Sequence, residues 1–217
     1  MNIYKGLIFD LDGVLVDTAK YHYLAWKEIA GYLGIRFTIG DNERLKGVSR
    51  MRSLEIMLEI GGLRVPDFEK ESLCAKKNDI YLSYVRQLSE NDLLIGAENF
   101  LVDARKKKYG IALGSASKNS LLVLERLNIA GLFDAVIDGN NSLRAKPDPE
   151  VFIKGAEALG VINERCIVFE DSVAGIQAAH AAGMKAVGVG NIGDLPEADI
   201  VIPGLAGNTI DTIISLL

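Results

Sequence analysis

The chain has 217 residues, with 24 Lys+Arg against 29 Asp+Glu for a net charge of −5, and 49% of its residues are hydrophobic. That is an ordinary globular composition, which excludes intrinsic disorder, collagen and coiled coil. The mild acidity, with no basic cluster beyond Arg105-Lys-Lys-Lys108, argues against nucleic acid as a partner, and no uncharged apolar run approaches the roughly 18 residues of a membrane span.

The first residues, Met-Asn-Ile-Tyr-Lys-Gly, carry no apolar leader segment, so the cytoplasm is the expected location. Gly6-Leu-Ile-Phe-Asp-Leu-Asp12 then reads as a short apolar strand ending in two carboxylates, which suits a parallel strand buried on both faces. Residues 16–89 hold no convincing strand and read as helices over 21–33, 50–59 and 66–88, a helical insertion whose two joints both lie beside the first strand end. From about residue 93 strands and helices alternate. Strands are expected at 110–114, 133–137, 166–169, 185–189 and 199–202, and helices at 97–108, 119–128, 149–159, 173–182 and 206–216. Leu121, Leu124 and Leu127 mark the buried face of the second of these helices. Asp148-Pro149, and Asp171 or Ser172, supply helix starts, while Gly131 and Gly183 follow helix ends. The cysteines, Cys74 and Cys166, form no CxxC pair, and Cys166 reads as a buried inert thiol. The expected fold is α/β: a Rossmann-like parallel sheet core flanked by helices (1–15 and 90–217) with an inserted α-helical cap domain (16–89). A cap hinged at those joints can open and close over the first strand end.

Ligands of open parallel sheets sit outside the carboxyl ends of the strands. The residues found there are Asp10 and Asp12, Ser115-Ala-Ser-Lys-Asn119, Lys146 and Glu170-Asp171. Taken alone, the Asp10/Asp12 pair reads as a turn cap beside a solvated carboxylate, and a turn at Gly13 can separate their aims. Adding Glu170-Asp171 shifts that reading, because carboxylates converging on one edge repel unless a hard cation such as Mg²⁺ neutralises them. The small residues of Ser115–Asn119 let backbone N–H groups approach an anion, although a plain serine helix cap fits them equally well. Together these groups make a phosphoryl-transfer site with a carboxylate nucleophile and a second acid for proton transfer.

Asp10-Leu-Asp-Gly-Val-Leu, Ser115, Lys146 and Glu170-Asp171 resemble the four motifs of the haloacid dehalogenase superfamily of phosphotransferases. Within it, Asp17-Thr18-Ala-Lys-Tyr-His22, Ala25-Trp26-Lys27, Leu45-Lys-Gly-Val-Ser-Arg50, Lys77-Asn78 and Ser115–Asn119 look like its sugar-phosphate mutase branch, which interconverts β-glucose 1-phosphate and glucose 6-phosphate. The resemblance implies that Asp10 is the nucleophile and Asp12 the general acid/base. It implies one Mg²⁺ at the Asp10 carboxylate, the Asp12 backbone carbonyl and Asp171, with Glu170 nearby. It places Ser115 and Lys146 on the transferring phosphoryl group, and Arg50, Ala116, Ser117, Lys118 and Asn119 about the phosphate that does not react. Trp26, Gly47, Val48, Ser49, Ser53 and Lys77 would shape the sugar site, and His22 would position Asp12. By themselves His22, Trp26 and Arg50 read as a half-buried structural histidine, a core aromatic and a solvated cation. The resemblance also implies β-glucose 1,6-bisphosphate as activating intermediate, small-molecule sugar phosphates as partners, and a monomer. A phosphatase of the same superfamily shares the core motifs, and a non-catalytic sugar-phosphate sensor is a further alternative that keeps the fold but has no need of both Asp10 and Asp12. Only the cap separates mutase from phosphatase. The loop Asp138-Gly-Asn-Asn-Ser142 receives no function.

Overall fold

The computed structural model describes residues 3–45, 48–142 and 144–217; Gly47 therefore lies outside the described residues. Six parallel strands, β1 (Gly6–Phe9), β2 (Gly110–Gly114), β3 (Ala135–Ile137), β4 (Cys166–Glu170), β5 (Lys185–Val189) and β6 (Ile200–Ile202), form one sheet in the order β3-β2-β1-β4-β5-β6. All four residues of β1 are buried. Apolar side chains on both of its faces make it a central strand, and it alone has the two neighbours β2 and β4.

Alternation along β1 divides the core into two layers. Leu7 and Phe9 join a cluster with α5 (Ala97–Lys106), α6 (Ser120–Arg126) and α9 (Ile210–Leu216) on one face. Ile8 points the other way, into a cluster with α7 (Glu150–Leu159) and α8 (Val173–Ala181). The first layer is tied together by aromatic rings. Phe9 stacks on Phe169 at 4.6 Å, and Phe100 of α5 sets its edge against both, at 6.1 and 5.3 Å.

Several sequence expectations shift on inspection. The first strand stops at Phe9, short of the two carboxylates, and the backbone turns at Gly13 (φ +77°). Leu121 is 50% exposed whereas Val123, Leu124 and Leu127 are buried. Steps of three residues fall short of a full turn, so Leu121 rotates off the face that Leu124 and Leu127 share. Gly131 lies inside a 3₁₀ turn, and the left-handed residue after α6 is Asn128 (φ 58°). Of the two candidate caps for α8, Ser172 accepts from Gly175 N at 3.1 Å. Both cysteines are free and buried.

Between β1 and α5 lie α1 (Ala19–Tyr32), α2 (Ile39–Glu43), α3 (Arg50–Gly61) and α4 (Asp67–Val85). Most of their apolar side chains form a separate cluster around Trp26, Ile29, Leu54, Met57 and Leu73. Tyr81, Val85 and Leu88 instead pack into the sheet layer, anchoring the helices to it. The two chain crossings touch each other: Val16 bridges Leu93, and Leu94 N donates to Leu15 O at 2.9 Å. Among the described residues no helix is long and apolar enough to cross a membrane.

Phe100 is 2% exposed and braces both rings at the sheet centre. Phe100→Ala is expected to lower unfolding stability by about 3–5 kcal/mol. Urea denaturation at unchanged m-value checks this, and a loss below about 1 kcal/mol contradicts the assigned brace.

Candidate active site

The register of β1 dictates the heart of the site. Phe9 pairs with Phe169 on one side and Leu113 on the other, so the next residue, Asp10, emerges beside Glu170 and just before Ser115 at the carboxyl edge. Lys146, reached through the cis Lys146–Pro147 peptide, extends its ammonium between the acids. It donates to Asp10 Oδ1 at 2.6 Å and to Glu170 Oε2 at 2.7 Å. Asp10, Lys146 and Glu170 are 7, 4 and 1% exposed, so these bonds form in a low-dielectric setting. Ser172 supports the same acid, donating its hydroxyl to Glu170 Oε1 at 2.7 Å.

Asp10, Glu170 and Asp171 each offer a carboxylate oxygen within 4.8 Å of the others. Burial, then the charge of Glu170, push the Asp10 carboxyl well above the usual carboxylate range even with Lys146 bound to it. Burial alone would lower Lys146, but Asp10 and Glu170 outweigh it and hold its ammonium above the ordinary lysine value. Burial and mutual repulsion both disfavour the charged carboxylates, so a further positive charge suits the cluster, and its all-oxygen donors suit a hard divalent cation. Two glycines make the crowding possible. A Cβ on Gly13 would stand 2.2 Å from Asp171 Oδ2, and one on Gly175 would stand 2.0 Å from the Glu170 carboxyl carbon. The carboxylate of Asp12 is not in this cluster.

Asp12 faces the helical insertion instead, the separation of aims that a turn at Gly13 permits. Thr18 donates its hydroxyl to Asp12 Oδ1, and Tyr81 Oη lies 3.2 Å from the same hydroxyl. His22 Nε2 stands 4.0 Å from Asp12 Oδ2, while its Nδ1 is 2.8 Å from Lys77 Nζ. Burial raises the Asp12 carboxyl, against the pull of Thr18 and Lys77. Burial, and then Lys77, push the His22 imidazole well below its ordinary value, so it is neutral. Whenever Lys77 carries its charge it has only donors to offer, so Nδ1 then accepts from it and the imidazole proton sits on Nε2, toward Asp12. Lys77 itself is lowered to about 7 by burial and by Arg50.

These groups share a cavity of about 440 Å³, lined on the sheet side by Asp10, Asp12, Ser115, Ala116, Ser117, Lys118, Lys146, Glu170 and Asp171. His22, Trp26, Val48, Ser49, Arg50, Ser53 and Lys77 line it from the helices. Trp26, 2% exposed, serves its own core cluster as well. Ser49 Oγ also caps α3, accepting from Arg52 N at 3.3 Å. Asn119 lies outside the lining and donates to Asn78 Oδ1 of α4 at 2.9 Å, a direct tie between sheet and helices.

Thr18 and Tyr81 escape sequence reasoning, since a buried tyrosine reads as packing until its hydroxyl partner is seen. So does the 138–142 loop, whose polar run directly after β3 was the available signal. Gly139 N donates to Ser117 O at 3.3 Å, and a Cβ on Gly139 would stand 2.5 Å from Ala116 O. Asn140 Nδ2 donates to Lys118 O at 3.0 Å. The loop thus buttresses the segment that follows β2.

A family model described as haloacid dehalogenase-like hydrolase matches residues 4–183. The chain is 41% identical over 209 residues to a β-phosphoglucomutase of Bacillus subtilis, covering 95% of this chain and 92% of that protein. It is 35% identical over 192 residues to a fructose-1-phosphate phosphatase of Escherichia coli, covering 86% and 96%. The crystal structure of β-phosphoglucomutase from Clostridium difficile superposes with a TM-score of 0.95 at 40% identity, covering 98% of this chain and 96% of that one. The chain belongs to the haloacid dehalogenase-like hydrolase family.

Proposed function

We propose that this chain is a phosphomutase that interconverts β-glucose 1-phosphate and glucose 6-phosphate by way of phosphorylated Asp10 and β-glucose 1,6-bisphosphate. The observation that carries the reading is one cavity with cations on both of its walls: Lys146, bonded to Asp10, and Lys118 on the sheet side, and Arg50 with Lys77 on the helical side. A bisphosphate has two phosphates to hold, and likeness to β-phosphoglucomutases over nearly the whole chain supports the same substrate.

In the forward direction the sugar 6-hydroxyl attacks the phosphorus carried on Asp10. Asp12 takes the hydroxyl proton as the Asp10 O–P bond breaks, giving the bisphosphate and a free Asp10 carboxylate. After the bisphosphate turns round, Asp10 attacks the phosphorus on O1, and Asp12 returns its proton to that oxygen as glucose 6-phosphate leaves. Burial raises the Asp12 carboxyl, which favours its holding the proton between the two transfers. Thr18 and His22 hold it in aim. Ser115 and Lys146 steady the transferring group, while Arg50, Ser117 and Lys118 hold the other phosphate. A phosphate beside Arg50 offsets that cation's repulsion of Lys77, the smaller of the two effects that lower it, and so favours the Lys77 ammonium that His22 faces. Closing the helices over the sheet edge excludes water, the competing acceptor.

Mg²⁺ would be held by Asp10 and Asp171, with Glu170 nearby and the Asp12 backbone carbonyl as a further ligand. When bound, it supplies positive charge that orients the phosphoryl oxygens and balances the charge they gain in transfer.

Mg²⁺ at a hundredfold excess over its Kd should stabilise the protein by about 2.7 kcal/mol. Thermal melting checks this: Asp171→Ala should abolish the response, and a wild-type melt indifferent to Mg²⁺ would contradict the cation site. Asp10→Asn should form no acid-stable phosphoenzyme and no product, and retained turnover would overturn the nucleophile. Arg50→Ala should raise the ratio of free phosphate to glucose 6-phosphate at least about tenfold, because the distal grip that drives closure is lost. An unchanged ratio favours a phosphatase like the Escherichia coli relative.

A further inference from the structure

Asn42 sits on α2 and is 7% exposed. Its Oδ1 is buried with no hydrogen-bond partner, the one such side-chain atom among the described residues. The backbone there needs no help from the amide: Asn42 N donates to Thr38 O at 3.2 Å, and Asn42 O accepts from Leu45 N at 2.9 Å. Thr38 and Asp41 cap the same helix through their own reciprocal bonds. The side chain is therefore not spent on the local turn, and folded chains seldom keep a buried acceptor unpaired without a reason.

The residue lines the active-site cavity, on the stretch of helical wall that also carries Trp26, Leu45, Val48, Ser53 and Lys77. That wall is apolar with a few polar groups, the make-up of a surface that orients a small polar ligand. Because phosphate oxygens are themselves acceptors, an amide carbonyl has nothing to offer them. A hydroxyl has a proton to give.

We infer that Asn42 is a specificity-determining residue whose amide turns about its last torsion to bring Oδ1, closed off from the cavity in this structure, into a hydrogen bond accepted from a ring hydroxyl of the bound sugar phosphate. This rests on the sugar-phosphate reading above and extends it, naming what holds the sugar ring rather than its phosphates. The acceptor lacks a partner in the free protein and gains one in the complex.

The test uses the whole protein with Mg²⁺, calorimetric binding of glucose 6-phosphate and its 2-, 3- and 4-deoxy analogues, and thermal melting without ligand. Asn42→Leu exchanges an unpaired acceptor for an apolar side chain of similar size, so its melting temperature should hold or rise. One deoxy analogue should bind the wild type about 10- to 100-fold more weakly than the parent, and that discrimination should vanish in the variant while the others persist. A melting temperature that falls, with parent and all analogues weakened by one common factor, would show a structural role and overturn the inference. So would a discrimination pattern left unchanged. If Asn42→Leu does not fold, Asn42→Ala must show the same hydroxyl-specific loss. A wild-type chain that binds glucose 6-phosphate without converting it refutes the mutase reading and leaves this test intact; one that does not bind it overturns both.

Discussion

Three carboxylates, from Asp10, Glu170 and Asp171, are gathered at one sheet edge, and the rest of the site follows from what that crowding demands. The crowding is a consequence of strand register: Asp10 and Glu170 follow a stacked pair of phenylalanines on adjacent strands, so neither can move away without disrupting the aromatic layer beneath. Two buried like charges at that spacing are costly, and Lys146 answers part of the cost by bonding to both. Removing that ammonium would leave uncompensated charge in a medium too apolar to screen it. The absence of a Cβ at Gly13 and Gly175 gives the acids their space. A site arranged this way is poised for a divalent cation and then for a phosphoryl group.

The helical insertion answers a different demand. Phosphoryl transfer to a sugar hydroxyl competes with transfer to water, and water is always present at a higher concentration. Asp12, the group that would activate either acceptor, is tied through Thr18, Tyr81, His22 and Lys77 to helices α1 and α4, not to the sheet alone. Its aim therefore depends on where those helices stand. Arg50 and Lys77 sit together on that side, so the substrate's second phosphate supplies the attraction that would set the position. The paired crossings at Val16 and Leu93 join the two chain connections at one place, where a closing motion would pivot.

Much of this was legible from residue order. Apolar runs ending in Asp10-Leu-Asp12, Ser115 and Glu170-Asp171 reveal buried parallel strands and place their polar successors at one edge, because all the strands run the same way. What escaped notice depended on tertiary partners or on elements too short to show a period. Helix α2, five residues long, rests on the Thr38–Asp41 capping box and leaves no periodic trace. Tyr81 reads as core because it is core, and only its hydroxyl beside Thr18 adds the second role. Asn119, placed by resemblance among the phosphate ligands, bonds to Asn78 in this structure. Asn42 carries no sequence signal at all, since an unpaired acceptor can be recognised only when the surrounding partners are known.

The central claim is that the phosphoryl group passes to a sugar hydroxyl and not to water. It is tested most directly by supplying separate α- and β-glucose 1-phosphate with Mg²⁺ and trace glucose 1,6-bisphosphate, while following glucose 6-phosphate and free phosphate together. Glucose 6-phosphate from the β anomer alone, with little free phosphate, is the predicted result. Free phosphate released without isomerisation would contradict it.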